Sequence, residues 1–468
     1  MKHDSNSESG SSQSRRKFLT NMGVGGTVAL GVLSSPSIYA GAKKTASLEK
    51  CRFTALAQHF VYLNSGTEGS MPDCVIKHLQ KKLYAWASDP TTSYELDAEL
   101  GKRQELNRQR VGEFFGVGKD NITLTDNTTM GLSMTLLGLN FQADDKVIIT
   151  NHEHNAILSP LQVLDQRIGL DIKVRKFPLA AKLSKMSHKQ ILDALFPNSD
   201  ALRNAKALCV SHVYPSTGIR LPLKELRKKA DQLNIQYVIV DGAQAMGMLD
   251  LSAEGEDISS CDFYAGPGHK WMNGPPSTGV LYLKNKDIQP PEFYPVGSQR
   301  MSKYLGDESK TFPMAKALQV RGCSNTVGFS AMLEATKFIQ QSGGSSAVEK
   351  HILDLSKRVK SIISLRAPHA LISPDSDEKL MSGLTVFSPF NWKKPQQIYS
   401  DKKKADWVVR ELLKKNIQIR SIGLIDDLDK KLSGQKRYVL RVSTAYFNTE
   451  ADINLFQKEL KEVLLRIR

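Results

Sequence analysis

Val238-Ile239-Val240 ends on Asp241-Gly242-Ala243-Gln244, and 29 residues beyond Asp241 stands Lys270, between Gly268-His269 and Trp271. A lysine amine can form an imine with an aldehyde, and a carboxylate can keep a heterocyclic nitrogen protonated. An apolar strand ending on a carboxylate, followed by a lysine in a Gly-flanked turn, is what a pyridoxal-phosphate site requires. The protonated ring then accepts electrons from the α-carbon of a bound amino compound. Asp-Gly after a strand is by itself usually only a turn, so this reading depends on the two groups together.

A second group of residues suits an anion. Asp126-Asn127-Thr128-Thr129-Met130-Gly131 falls between a strand-like and a helix-like run. Backbone N–H groups at a helix N-terminus, with threonine hydroxyls beside them, form a cradle for a phosphate. Thr-Thr at a helix start is, out of context, more often only a cap. His152 and His154 have metal-like i, i+2 spacing, but no further Cys/His/Asp cluster supports them, so no metal is expected.

These groups need a frame, and the hydrophobic pattern supplies one. Strand-like runs at Ile122–Thr125, Val147–Thr150, Ile172–Val174, Ala207–Ser211, Tyr237–Val240, Phe263–Ala265 and Gly279–Leu283 alternate with helical patterns beginning at Thr129, Ala156, Lys189 and Leu223. Alternating β and α with apolar strands implies a mainly parallel, seven-stranded sheet covered on both faces, an α/β fold. Before it, helices are expected after Pro72 and from Glu95 to Phe115. Gly343-Gly344 interrupts a helical stretch and marks a bend or boundary. Beyond it, strands near Gly383–Phe387, Ile417–Arg420 and Tyr438–Ser443 and helices at Ala405–Lys414 and Glu450–Arg466 read as a smaller α+β domain. Thr449 serves as the N-cap of the last helix.

With 468 residues the chain suits about two to three domains, or one large α/β domain plus a smaller one. The expected division is a signal segment at 1–42, an N-terminal arm with the large domain at 43–340, and the small C-terminal domain at 341–468. The formal charge is +16. Residues 1–42 hold four basic and two acidic groups, so the remainder keeps +14. Such a balance favours anionic surroundings, but no basic-aromatic reading element points to nucleic acid.

Ser14-Arg15-Arg16-Lys17-Phe18-Leu19 precedes a modestly apolar run from Met22 to Leu33, and Ala40-Gly41-Ala42 offers a small-residue cleavage site. About a dozen apolar residues are too few for a permanent span, so the segment reads as a signal peptide. Its paired arginines resemble a twin-arginine signal, which implies the twin-arginine export machinery and a periplasmic or secreted destination. Left uncleaved, the segment could anchor the chain to the inner membrane. Export after folding suits an imine-bound cofactor, which needs a finished pocket. Five widely spaced cysteines, Cys51, Cys74, Cys209, Cys261 and Cys323, form neither a disulfide framework nor a metal site.

From about Phe60 to Arg468 the chain resembles the class V branch of fold-type-I pyridoxal-phosphate enzymes, with isopenicillin N epimerase-like proteins as the most similar subgroup. The motifs carrying the resemblance are Asp241-Gly242-Ala243-Gln244, His269-Lys270-Trp271, the Glu-His-x-Ala part of Asn151–Ala156, Ser211–Gly218 and Leu440-Arg441-Val442-Ser443. The resemblance implies that Lys270 forms the imine and then moves protons at the substrate's α-carbon, and that Asp241 pairs with the pyridinium nitrogen. It further implies that Gln244 donates to the ring's phenolic oxygen and that His154 stacks on the ring. Thr128, Thr129 and His269 are expected at the phosphate, and Arg441 clamps the substrate α-carboxylate through paired charge-assisted hydrogen bonds. Arg321-Gly322-Cys323-Ser324-Asn325 resembles a segment that crosses a dimer interface to the partner's phosphate, implying a homodimer. Cys323 stands where relatives carry threonine, and Pro267 where many carry a phosphate-binding serine.

Cysteine desulfurases need a nucleophilic thiol in the loop before the carboxylate-binding arginine, and residues 422–439 contain no cysteine. What remains is transamination, epimerisation or elimination on an amino acid or an amino-acid-containing metabolite. A desulfurase- or selenocysteine lyase-like enzyme and a catalytically idle cofactor-binding protein on the same fold stand as alternatives. The altered positions at Cys323 and Pro267 motivate the latter.

Overall fold

Regular structure starts with a two-residue strand, β1 (Val61–Tyr62), and two helices, Asp73–Ser88 and Asp97–Phe115. Seven strands then build one sheet: β2 (Ile122–Thr125), β3 (Lys146–Thr150), β4 (Asp171–Arg175), β5 (Ala207–Ser211), β6 (Tyr237–Asp241), β7 (Phe263–Pro267) and β8 (Gly279–Leu283). Their order is β2-β8-β7-β6-β5-β3-β4, and β8 alone runs against its neighbours. The computed structural model describes residues 53–56, 59–89, 97–296, 313–319, 321–322, 324–425 and 437–467. The twin-arginine stretch, Cys51, Cys323 and most of the 422–439 loop lie outside the described residues.

Alternation along the inner strands explains why their runs are largely apolar, whereas the edge strand β4 is only partly buried and keeps Asp171, Lys173 and Arg175. Ile148, Leu208, Val210, Val238, Val240, Tyr264 and Val280 point into one core, while Val147, Ile149, Cys209, Ile239, Phe263, Ala265 and Leu281 point into the other. A strand buried on both faces has no polar side to show. Truncating one such residue, as in Ile239→Ala, costs about 2–5 kcal/mol. The helices Thr128–Gly138, Asn155–Ile168, His188–Leu195 and Leu223–Gln232 lie in the intervals expected of crossovers.

The helices Thr326–Gln341 and Gly344–Arg366 are separated by Ser342 and Gly343, and Gly343 and Gly344 are both left-handed, with φ of 100° and 86°. Glycine tolerates this conformation without a Cβ clash, so the two helices part here. Strand β9 (Leu384–Phe387) is followed by β10 (Ile417–Gln418), β11 (Arg420–Leu424) and β12 (Arg437–Ser443). The order β11-β12-β9 makes a three-stranded antiparallel sheet. Its core includes Val359, Val408, Leu440, Phe456 and Leu460, from the helices Gly344–Arg366, Lys402–Leu413 and Glu450–Arg466 as well as β12. Thr449 caps the last helix in a capping box with Asp452.

One expectation needs correction: Ile417–Arg420 is not a single strand. Ile417 and Gln418 pair in parallel with Val61 and Tyr62, whereas Arg420 begins the pairing with β12. The run changes partners at Ile419, whose side chain is buried. The switch has a consequence for the site. It ties β1 beside the small sheet, where Ser443 N donates to Leu63 O at 2.8 Å, and so carries residues 64–70 past Arg441 and Lys270.

Candidate active site

Asp241 ends β6, Lys270 lies in the turn after the neighbouring β7, and Thr128 opens the helix after β2. All three sit at the carboxyl ends of parallel strands, where open α/β sheets form ligand crevices. A single cavity is lined by Asn127, Thr128, Thr129, His154, Asp241, Gln244, Pro267, His269 and Lys270, with Ser211, Val213 and Pro215. Seven of the eight residues singled out from sequence therefore meet in one place. The eighth, Arg441, lies behind Gly66.

Asp241 is buried and accepts a hydrogen bond from Ala243 N at 2.8 Å. Burial raises its pKa, while that hydrogen bond and the charges of Lys270 and His154 pull it back. Gly242 is required by a close approach: a Cβ there would stand 2.1 Å from the ring of Tyr264. The Asp-Gly pair is thus a packing necessity under the site as well as the end of a strand.

Lys270 is half-buried, and burial lowers its amine to about pKa 8, opposed by Asp241 and reinforced by Arg441 and Arg420. Its turn is held from outside by residues 66–70. Gly69 N donates to His269 O at 2.8 Å, and Asn273 Nδ2 donates to Ser70 O at 2.8 Å. A Cβ on Gly69 would fall 1.8 Å from the Lys270 carbonyl oxygen, so only glycine fits against this turn.

Gln244 is oriented by its partners. Its Oε1 accepts from Trp271 Nε1 at 3.1 Å, and its Nε2 donates to Gly66 O at 2.8 Å. Indole can only donate, which fixes the amide's direction and leaves its second N–H for a ligand. His154 is the N-cap of Asn155–Ile168; its Nδ1 accepts from Ala156 N at 3.2 Å. A neutral ring so bonded carries its proton on Nε2. His152 turns away, with Nδ1 3.1 Å from Ser216 Oγ and its ring edge-on to Phe177. His269 is half-buried, its Nδ1 has no protein partner, and burial lowers its pKa.

At the helix N-terminus, Asn127 Oδ1 accepts from Met130 N at 2.9 Å. The N–H groups of Thr128 and Thr129, in the first turn, lack intrahelical partners and are open to an anion. Pro267, having no N–H, contributes no donor. Within the same chain Arg321 is tethered to the end of β2, with Nη2 donating to Leu124 O at 2.7 Å, and Asn325 caps the helix Thr326–Gln341.

Arg441 is buried, donates through Nη2 to Thr67 Oγ1 at 3.0 Å and leaves Nε without a partner. Burial and the neighbouring Arg420 lower it to about pKa 9. Ser65 Oγ and Ser443 Oγ are likewise buried without partners. A Cβ on Gly66 would lie 2.9 Å from Ser443 Oγ and 3.1 Å from Arg441 Cζ. A buried cation among unfilled donors is stable only with an anion to receive.

Sequence reasoning missed Glu153. This buried carboxyl group accepts from Thr150 Oγ1 and Ser211 Oγ at 2.7 Å and from Tyr214 OH at 2.9 Å. Burial pushes its pKa up to about 7, the three hydroxyls working against the shift. Its place in a polar run disguised it; the hydroxyl residues at 150, 211 and 214 were the available signal. Also missed were Gly66, Thr67 and Gly69, which close the site from a distant part of the chain.

The donor set fits pyridoxal phosphate. There is an amine biased toward its neutral form, a carboxyl group at a strand end, a free amide N–H, a histidine at the rim and an anion-binding helix terminus. The family described as aminotransferase class-V matches residues 61–456 of the chain. The chain is 25% identical over 339 residues to an isopenicillin N epimerase of Streptomyces clavuligerus, spanning 70% of this chain and 80% of that protein. It is 28% identical over 293 residues to a cysteine desulfurase of Yersinia pestis (strain Pestoides F), spanning 61% and 68%. Among solved structures it is similar to a lysine-to-alanine variant of C-DES with glycine covalently linked to the PLP cofactor. There the TM-score is 0.69 at 24% identity, covering 88% of this chain and 99% of that one.

Proposed function

The chain belongs to the class-V aminotransferase family, and from that premise we propose that it acts on the α-carbon of an amino acid or amino-acid-containing metabolite, by transamination, epimerisation or elimination. The observation that carries this reading is the half-buried Lys270 amine sharing one cavity with the buried carboxyl group of Asp241. Bound pyridoxal phosphate supplies an electron sink for charge developing at the α-carbon. Lys270 would hold it through Nζ, and the same amine would take and return the substrate's α-proton. Asp241 is the partner for the ring nitrogen, Gln244 for the ring oxygen and His154 for the ring face. Thr128, Thr129 and His269 receive the phosphate. Arg441 receives the substrate α-carboxylate and fixes which Cα bond faces Lys270.

Sulfur transfer to a protein thiol finds less support, although desulfurases are among the relatives. No cysteine occurs between 422 and 439, and Cys209 and Cys261 are buried with thiol pKa values raised by burial. Homodimerisation and twin-arginine export complete the proposal, both supported by sequence motifs alone.

The deciding experiment is a visible spectrum of the purified protein during titration with amino acids. A cofactor band that shifts with at least one amino acid is the expected result. A band indifferent to every amine would instead favour an idle binding protein, and sulfide release from cysteine would reinstate the desulfurase reading.

A further inference from the structure

Arg420 and Arg441 stand opposite one another on β11 and β12. Like charges directly opposite across strands repel, and this pair is given little relief. Arg420 Nη1 and Arg441 Nη2 both donate to Thr67 Oγ1, at 2.9 and 3.0 Å. That hydroxyl donates its own proton to Asn64 Oδ1 at 2.8 Å. It is neutral, so it aligns the two guanidiniums and cancels neither charge. The two donor nitrogens lie at most about 6 Å apart, since both bond one oxygen. Among the described residues, no carboxylate forms an ion pair with either arginine; Arg420 pushes the Arg441 pKa down, Tyr62 opposes that, and Lys270 is a further like charge within reach of both.

The pair also differs in depth. Arg441 is 4% exposed beside Gly66, with Nε unpartnered, whereas Arg420 is exposed at the rim. Gly66 connects them to the cavity: its carbonyl accepts from Gln244, and its missing Cβ admits the Arg441 guanidinium. One buried cation and one rim cation, side by side, match an extended molecule with an acid group at each level.

We propose that the substrate is an acidic amino compound with two carboxylates, the inner one received by Arg441 and the outer one by Arg420. This rests on the function proposed above and adds the substrate class. Thr67 is the positioning residue, because its one hydroxyl accepts from both guanidiniums.

The test compares acid and neutral isosteres on the holoenzyme. Aspartate, glutamate and the next longer homologue are titrated against their amides while the cofactor band is followed. Calorimetry with glutarate and butyrate adds a readout that needs neither turnover nor an amine. At least one diacid is expected to bind about tenfold or more tighter than its amide, with glutarate similarly ahead of butyrate. Arg420→Gln should bring acid and amide to within about twofold of each other, whereas Thr67→Val should reduce the preference partially. Equal affinity for acids and amides, or a preference that survives Arg420→Gln, overturns the proposal and indicates one carboxylate shared by both arginines. If neutral amino acids shift the band while diacids show no advantage, the enzyme reading stands and only the diacid assignment falls. If no amine shifts the band, the enzyme reading itself has failed.

Discussion

At Lys270 burial and two arginines oppose the carboxylates of Asp241 and Glu68, and the outcome is an amine near pKa 8 in place of the ordinary value of about 10.4. Only the neutral amine attacks an aldehyde, so cofactor uptake by the cofactor-free chain should quicken about tenfold per pH unit below 8 and level off above it. Stopped-flow absorbance checks this; a rate still climbing through pH 10 would mean the lysine is unperturbed. Arg441 offers a second residue-level test. Removing it deletes the buried cation behind Gly66, and Arg441→Ala should lower kcat/KM for any accepted amino acid by about a hundredfold or more. Cofactor retention should stay intact, because Arg441 does not line the cofactor cavity.

The elements show what sequence can and cannot reveal. Asp241, Lys270 and Thr128 were legible because strand ends and helix starts are local patterns, and each strand of the seven-stranded sheet contains the apolar run that announced it. The partner switch at Ile419 was not legible, since an apolar run looks the same whichever sheet it joins. Glu153 was hidden for a related reason: two of its three hydroxyl partners, Ser211 and Tyr214, come from a segment about 60 residues away. Nor could Gly66 and Gly69 be assigned, because their roles depend on contacts about 200 and 375 residues away. These hidden features carry predictions. In Gly69→Ala, the Cβ meets backbone at 1.8 Å, and the cost of shifting residues 66–70 is about 1–3 kcal/mol or more. A lowered Tm with faster cofactor loss is expected, and unchanged values would show that the segment does not brace the lysine. Glu153 keeps its proton to about pH 7 when folded, against about 4.5 for an ordinary glutamate. Between those values the folded chain binds more protons than the unfolded one, so stability falls as pH rises, by on the order of 3 kcal/mol in full. Glu153→Gln should flatten that part of the Tm-versus-pH curve; an identical slope in the variant would place the titration elsewhere.

Across the whole molecule, the fold gathers the candidate site at one end of a seven-stranded sheet and brings Arg420 and Arg441 to it from the smaller sheet, beside the β1–β10 pairing. That arrangement requires a finished fold before the cofactor can be held, and the proposed twin-arginine export would have to follow it. Replacing both arginines by lysine should leave the protein in the cytoplasm with its cofactor bound. Recovery of that variant from the periplasm in normal amounts would remove the export proposal without touching the enzyme reading.

The most direct test of the account is chemical. The holoenzyme is reduced with borohydride, digested, and its peptides are sequenced by mass spectrometry. The account predicts a pyridoxyl group fixed to the side chain of Lys270 and to no other lysine. Label on a different lysine, or a bound cofactor that borohydride fails to fix at all, would contradict it.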